Sequence, residues 1–376
     1  MRVLLLHNRY RAEGGEERAV WDIATLLRDR GHLVEVLERD SGASSAAAAA
    51  AGLLHGGVQP GEVTAAVQRL RADVVHAHNL HPLLGWRALA AARSAGARTV
   101  LHLHNYRLFC AIAIAYRDGA PCGRCQGRDT RPGLRLRCRG SFVEAAVYAS
   151  GLARQQPRLL READALVAVS AGSARRLTVG LGPAADRAVV LPNFVAGAGF
   201  APASRAESGR YALVAGRLVE EKGFDTAIVA AGRAGVPLLV AGEGPDEARL
   251  RALAAGADVR FAGRLRPKAL AEARAGAAVV LAPSRWEEPC PYAVLDAMAA
   301  GVPVLVSDRG GLPETVDPGE ALPAQDAAAW ACGLAALWSD PQSRRVSGER
   351  ALERARERFG EARYYEALLA VYAGDG

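Results

Sequence analysis

No stretch of the chain approaches the ~20 consecutive apolar residues that cross a bilayer, because Arg, Asp or Glu interrupts every candidate segment. A membrane-spanning protein is therefore not expected. Met1 to His7 is a short apolar run behind a single Arg and ahead of Asn8, Arg9 and a glycine pair; it reads as a first β-strand rather than a signal peptide and points to the cytoplasm. Lysine is almost missing. Lys222 and Lys268 are the only two among 47 basic residues, a bias that fits a GC-rich genome and makes a retained lysine a candidate for a required one. Histidine is missing after residue 104, all eight lying before residue 105. Six cysteines in 376 residues do not suggest a disulfide scaffold, and a reducing compartment leaves them as thiols or metal ligands.

What is present fits a packed α/β protein: half the residues are hydrophobic, and Gly, Ala and Val are abundant. The length exceeds the roughly 250 to 300 residues at which one core stops growing, so two domains are expected. Short β-branched or Leu-rich runs alternate with helical stretches, the rhythm of a parallel sheet wound by right-handed crossovers. Strands are expected at Arg2–His7, Leu33–Glu38, Asp73–Ala77 and Arg98–Leu103, with helices at Glu16–Arg30 and Gly85–Ser94. Ala43–Gly57 reads as a weak helix or a loop. The rhythm returns with strands at Tyr211–Ala215, Pro237–Ala241, Val259–Ala262 and Ala277–Ala282, and helices at Gly223–Arg233 and Asp246–Ala255. Between the two sets, Pro192–Gly209 lacks periodicity and reads as a linker, and from Ala327 onward the chain looks helical. The net charge of +7 is concentrated: residues 107–162 hold 11 Arg against four acidic side chains, so the remainder is neutral overall.

Two segments carry the chemistry. Ala215-Gly216-Arg217-Leu218-Val219-Glu220-Glu221-Lys222-Gly223 lies where a strand ends and a helix begins, a place where amides and the helix dipole favour an anion. Arg217 offers a planar fork and Lys222 a compact ammonium, both suited to a diphosphate. A solvated loop is the plainer alternative for Arg217. Farther on, Pro283 to Pro303 contains Glu288 and Asp296; if Pro291 opens a helix, Glu288 sits just before it and Asp296 about one and a half turns inside. Both can then face one crevice and accept hydrogen bonds from sugar or ribose hydroxyls.

These segments resemble the retaining glycosyltransferases of the GT-B fold, family 4, whose hallmarks are a Gly-Arg…Glu-Lys-Gly segment and an E-x7-E motif. The resemblance implies two Rossmann-like doubly wound domains facing a central cleft. It divides the chain into an acceptor-binding domain at 1–195 with a Cys/Arg-rich insertion at about 107–140, a donor-binding domain at 205–355, and a C-terminal helix at 356–376 crossing back to the first domain. It implies a hexosyltransferase-type enzyme that moves a sugar from a nucleotide diphosphate donor to a hydroxyl acceptor, whether a glycan, a lipid-linked intermediate or a small metabolite, with retention of anomeric configuration. Arg217 and Lys222 would neutralise the diphosphate, Glu288 contact the donor sugar, and Asp296 hold the ribose, although the family has Glu at that place. Glu13-Gly14-Gly15-Glu16 resembles the family's glycine loop, Gly14 and Gly15 approaching the donor phosphates; a tight βα turn explains the pair as well. Ala241-Gly242-Glu243-Gly244-Pro245 and Phe261-Ala262-Gly263-Arg264-Leu265 resemble loops at the donor, with Gly216, Gly242, Arg264 and Leu265 as contacts; both could be ordinary strand ends. Gly310-Gly311-Leu312-Pro313-Glu314 is similar to a late loop near the donor.

His76, His78, His81, His102 and His104 follow predicted strands. At the carboxyl end of a parallel strand a histidine faces the ligand crevice, and a near-neutral pKa suits proton handling or hydroxyl contact; a core histidine bonded to a carbonyl is the alternative. The resemblance favours His104 as the active-site histidine, with His78 and Asn105 on the acceptor side. It needs no catalytic metal. Cys110, Cys122, Cys125 and Cys138 form C-x11-C-x2-C-x12-C, a set suited to structural zinc, with free thiols or a labile disulfide as alternatives. The Arg run around them, including Arg124, Arg128, Arg131, Arg135, Arg137 and Arg139, suits anionic lipid at the inner face of a membrane or a diphosphate-bearing acceptor, though a solvated loop explains it equally. Two competing readings are a sugar-nucleotide epimerase of the same fold and a zinc-bearing basic nucleic-acid-binding protein; no nucleic acid is expected as a partner, because that reading explains neither set of strand-end loops.

Overall fold

A computed structural model of the chain describes residues 1–10 and 14–374. Glu13 of the glycine loop lies outside the described residues. The chain divides into two compact units: Met1–Ala115, Cys122–Pro192 and Tyr364–Gly376 form unit 1, and Tyr116–Pro121 with Asn193–Arg363 form unit 2.

In chain order the elements as far as residue 190 are β1 (Arg2–Arg9), α1 (Gly15–Asp29), β2 (Leu33–Asp40), α2 (Ala46–His55), α3 (Pro60–Leu70), β3 (Val74–Ala77), α4 (Gly85–Ser94), β4 (Arg98–Leu103), β5 (Tyr116–Arg117), β6 (Ala120–Pro121), α5 (Arg131–Arg135), α6 (Phe142–Glu162), β7 (Ala165–Ala168), α7 (Ala171–Leu181) and β8 (Ala188–Val190). Unit 1 has a six-stranded sheet in the order β2-β1-β3-β4-β7-β8, every pair parallel. A parallel sheet covered on both faces needs strands that are apolar throughout; Val3, Leu4, Leu5 and Leu6 in β1 are all fully buried. Each such side chain contributes roughly 1.5–3 kcal/mol of burial.

The Ala-rich stretch at 43–57 forms a helix because its ends are fixed. Ser45 Oγ accepts from the Ala48 amide at 3.1 Å, Gly56 closes the helix at φ 87°, and Gln155 of α6 donates to the carbonyls of Gly52 and Leu53 at 3.2 and 2.7 Å. The last of these contacts crosses more than 100 residues of sequence, so local propensity could not announce it.

The remaining elements are β9 (Ala212–Ala215), α8 (Phe224–Ala234), β10 (Leu238–Ala241), α9 (Glu247–Leu253), β11 (Val259–Phe261), α10 (Pro267–Ala275), β12 (Val279–Ala282), α11 (Tyr292–Ala299), β13 (Val304–Val306), α12 (Ala327–Ser339), α13 (Pro341–Phe359) and α14 (Glu361–Ala373). Unit 2 has a five-stranded sheet in the order β11-β10-β9-β12-β13, again parallel throughout. Its core gathers Val214, Phe224, Leu238, Val240, Val279 and the fully buried Trp330.

The stretch read as a linker is built into unit 2. Val195 donates to the Phe359 carbonyl at 2.8 Å, and Ser204 Oγ to that of Gly301 at 2.6 Å. From Tyr364 the last helix belongs to unit 1: His32 and Tyr365 share a 2.7 Å hydrogen bond, and His76 and Tyr372 one of 2.8 Å. The hairpin β5–β6, inside the Cys/Arg-rich insertion, groups with unit 2. No described helix is long and apolar enough to cross a membrane.

Candidate functional site

In unit 2, β9 is hydrogen-bonded to β10 on one side and β12 on the other, so the order of connection reverses between β9 and β12. Loops leaving the carboxyl ends of strands at such a reversal form the ligand crevice of open α/β sheets. Lys222 follows β9 and Glu288 follows β12, and the two meet. Lys222 Nζ lies 2.8 and 2.7 Å from the two carboxylate oxygens of Glu288, with the side chains 22% and 7% exposed. Ser284 Oγ and Trp286 Nε1 each donate to the same Glu288 oxygen at 2.8 Å. The ammonium also lies 5.5 Å from the centre of the Trp286 ring. A buried carboxylate held by one cation and two neutral donors is fixed in direction, as a group that must aim at a ligand has to be.

Two glycines allow this approach. Gly223, at φ 68°, ends the turn carrying Lys222, and a Cβ there would fall 2.0 Å from the Pro283 carbonyl oxygen. Gly310, at φ 58°, would place a Cβ 2.3 Å from the Glu288 carbonyl oxygen, and the Gly311 amide donates to that oxygen at 2.7 Å. The late glycine loop therefore backs the Glu288 turn. Asn193 does so as well, donating to the Cys290 carbonyl at 2.9 Å.

The other anticipated residues are placed less tightly. Arg217 is exposed, its guanidinium 3.9 Å from Glu221, and Gly216 is exposed beside it. Gly242, at φ 148°, would bring a Cβ 1.8 Å from the Gly216 carbonyl oxygen, so these two loops touch through backbone. The Arg264 amide donates to Glu243 at 3.4 Å, and Leu265 packs against the core of unit 2. Pro291 does precede α11, but the two carboxylates of the segment have separate cations: Asp296 pairs with Arg274 of α10 at 3.1 Å. Arg285 was not singled out by sequence. It pairs with Asp225 at 2.7 Å and, with Arg309, lines a hollow of about 570 Å³. Neither Lys222 nor Glu288 is among the residues lining that hollow.

In unit 1 the histidines assemble. His76 lies on β3 with His78 just beyond it, and His102 on β4 with His104 just beyond it; the two-residue period of extended chain puts each pair on one face. His76 and His102 are linked at 3.2 Å, His78 and His104 at 2.9 Å, and the rings of His102 and His104 stack at 4.1 Å. Ligand nitrogens of His76, His78 and His102 lie within 4.8 Å of one another; both nitrogens of His76 and the Nδ1 atoms of His78 and His102 bond neighbouring rings or Tyr372, whereas His78 Nε2 and His102 Nε2 are buried without a partner. The near-neutral pKa expected of a crevice histidine is not found. Burial first, then the neighbouring histidines, push His104 down to about 3, and burial alone does the same to His76. These rings stay neutral at ordinary pH, which leaves hydroxyl contact and removes proton donation by an imidazolium.

Beside them Asn105 donates to Glu16 at 2.8 Å and to the Tyr10 hydroxyl at 3.0 Å, and Tyr10 donates to Glu16 at 2.8 Å. Burial pushes the Glu16 carboxyl up. Burial pushes Glu17 up too, but His7 and the amides of Tyr10, Glu17 and Gly14 outweigh it and hold that carboxyl below its usual range. The Gly14 amide is thereby given to Glu17 at 2.8 Å rather than offered to a phosphate, and Gly15 opens α1. The hollow bounded by Glu16, His78, His104, Asn105 and Arg107 measures about 20 Å³, room for roughly one water.

Comparison with known proteins decides what this arrangement belongs to. Residues 14–193 match the model of the glycosyl transferase 4-like domain and residues 200–354 that of the glycosyl transferases group 1. The chain belongs to the group 1 glycosyl transferases. It is 33% identical to the glycogen synthase of Mycobacterium tuberculosis (strain ATCC 25618 / H37Rv) over 233 residues, 57% of this chain and 55% of that protein. The aligned stretches cover between 22% and 55% of the curated relatives' own lengths. Among solved structures, sucrose-phosphate synthase from Thermosynechococcus elongatus gives a TM-score of 0.72 at 18% identity, covering 99% of this chain and 98% of that one. Anabaena Alr3699/HepE, solved in complex with UDP, gives 0.67 at 18% identity, covering 99% and 100%. At that identity the likeness is one of fold, and the fold is GT-B: two Rossmann-like parallel-sheet units. These matches favour neither the epimerase nor the nucleic-acid reading.

Proposed function

We propose that this group 1 glycosyl transferase binds a nucleotide diphosphate sugar on unit 2 and transfers the sugar, with retention, to a hydroxyl acceptor served by unit 1. The observation that carries the reading is the Lys222–Glu288 pair at the strand ends where the sheet of unit 2 reverses. In this reading Lys222 turns from Glu288 toward the diphosphate as negative charge builds on the departing group, an electrostatic role that needs no covalent intermediate. Glu288 then grips the donor sugar, still aimed by Ser284 and Trp286. Arg217, exposed and loosely held, closes on the diphosphate. Asp296 takes the ribose by sharing Arg274, and Gly216, Gly242, Arg264 and Leu265 border the nucleotide. His104, neutral, orients the acceptor hydroxyl with His78 and Asn105, and that hydroxyl attacks on the face from which the diphosphate leaves. No catalytic metal enters.

The UDP-bound state of a protein with the same fold supports a nucleotide donor. The test is a panel of UDP-, GDP-, ADP- and dTDP-sugars followed by thermal unfolding, then by NMR of the product's anomeric proton. A true donor at a hundred times its Kd stabilises the chain by about 2.7 kcal/mol. No stabilisation by any member of the panel, or a product of inverted configuration, would overturn the corresponding half of the reading.

A further inference from the structure

We propose that Cys110, Cys122, Cys125 and Cys138 hold one zinc ion in a tetrahedral four-thiolate site that fixes the segment between β4 and α6. The site is independent of the transfer reaction and uses none of the residues assigned to it.

The segment needs such a device. From residue 117 to residue 141 no hydrophobic side chain reaches the buried core, and the regular structure consists of a two-residue pairing and the five-residue α5. Ordering a residue costs about 1–2 kcal/mol of backbone entropy, which burial here does not offset. The backbone is also strained: of six described non-glycine residues at positive φ, Ala113, Ala115, Asp118 and Arg137 lie in or at the edges of this segment, at 67°, 47°, 54° and 46°. Such conformations cost on the order of 1 kcal/mol each and persist only where the surroundings over-determine them.

The backbone brings the four cysteines into two pairs; among the described residues no three of their sulfurs lie within 4.8 Å of one another, so the ion draws the pairs together. The Ala113 amide donates to the Cys110 carbonyl at 2.9 Å, and the Cys122 amide to the Ala115 carbonyl at 2.6 Å. Cys110 and Cys122 thus flank the same turn. Cys125 Sγ lies 3.6 Å from where a Cβ on Gly133 would stand, and the Cys138 amide donates to the Gly133 carbonyl at 3.0 Å, so the second pair meets at Gly133. The two pairs are tied together by sequence, since Cys122 of the first and Cys125 of the second stand three residues apart. Zinc supplies two positive charges, four thiols release four protons, and the site carries a net charge of −2. The cations of the same segment, Arg124, Arg128 and Arg135 among them, complement that charge. All six cysteines are free thiols in this structure.

The test uses the full chain, purified under reducing conditions and analysed for metal by mass spectrometry. One zinc per chain is expected, released in step with four thiols as a mercurial is titrated in. Cobalt in its place should show thiolate charge-transfer bands and the visible bands of a tetrahedral ion. Cys125→Ser should weaken zinc retention about 100-fold or more, whereas Cys332→Ser should leave it unchanged. If Cys125→Ser fails to fold, the cobalt spectrum of the unaltered chain decides. A chain that takes up no zinc or cobalt after exposure to either ion, or whose Cys122 and Cys125 are recovered as a disulfide under those conditions, overturns the proposal.

Discussion

Replacing Lys222 by Met tests the donor reading most directly, because structural and catalytic roles then predict different patterns. In the folded chain Lys222 faces both oxygens of Glu288, and the side chains are 22% and 7% exposed. Breaking a fully buried pair by removing one partner costs roughly 3–5 kcal/mol. The partial exposure of Lys222, and the two donors that Ser284 and Trp286 leave on Glu288, reduce this to about 2–3 kcal/mol. At roughly 2–4 °C per kcal/mol the melting temperature should fall by about 5–10 °C. Transfer measured well below that temperature should fall about 100-fold or more, since the cation facing the departing diphosphate is gone. Adding Glu288→Gln removes the orphaned carboxylate charge while keeping an acceptor for Ser284 and Trp286. The double variant should therefore regain about 1–3 kcal/mol of stability through coupling and regain no activity. If activity returns with stability, or if Lys222→Met alone keeps a fifth of the native rate, the pair only holds the fold and the assignment fails.

Other predictions follow from the same geometry. Burial keeps His76, His81 and His104 neutral down to about pH 3 in the folded chain, whereas unfolded histidine takes up a proton below about 6.5. Stability should hold above pH 6.5 and fall below it, by up to about 1.4 kcal/mol per ring per pH unit; a melting temperature unchanged between pH 7.5 and 5.5 would contradict the buried ladder. Asp296→Asn should raise the donor KM about tenfold with kcat little changed if Asp296 holds the ribose, and an unaltered KM would leave it as a partner of Arg274 alone. Gly310→Ala would set a Cβ 2.3 Å from the Glu288 carbonyl oxygen, so it should lower transfer by about tenfold or more by shifting the Glu288 turn; full activity would show that the turn is free to move.

How much of this was readable in the sequence depends on whether a feature is local. β4 and α4 occupy the residues their patterns predict, because a strand's apolar run and a helix's period are written within a few residues. Lys222 and Glu288 were recognised by residue type within strand-end loops. Their partners were harder to see. Ser284 and Trp286 stand four and two residues before Glu288, in a stretch with no period to reveal which way a side chain turns. Arg274 reaches Asp296 from another helix, and Asn193 reaches Cys290 across 97 residues. The placement of β5–β6 with unit 2 is of the same kind: Tyr116 contacts Glu220 at 3.4 Å and Gln325 donates to the Gly119 carbonyl at 3.0 Å, neither of which a two-residue strand can signal.

The histidines show a second reason for a misreading. Their positions were legible, since two-residue spacing on neighbouring strands puts His76, His78, His102 and His104 on one face. Their protonation was not, because residue type fixes only the reference pKa and the surroundings decide the rest. What supplies those surroundings is partly Tyr372, which arrives from the far end of the chain to bond His76 at 2.8 Å. Around His76 that hydroxyl and the neighbouring rings offer hydrogen bonds without an anion to stabilise an imidazolium. The same face with a carboxylate in place of Tyr372 would favour a proton on the ladder. Tyr372→Glu should accordingly raise the pKa of His76 toward the neutral range, read by NMR of the ring protons, and an unshifted titration would refute burial without a counter-ion as the cause.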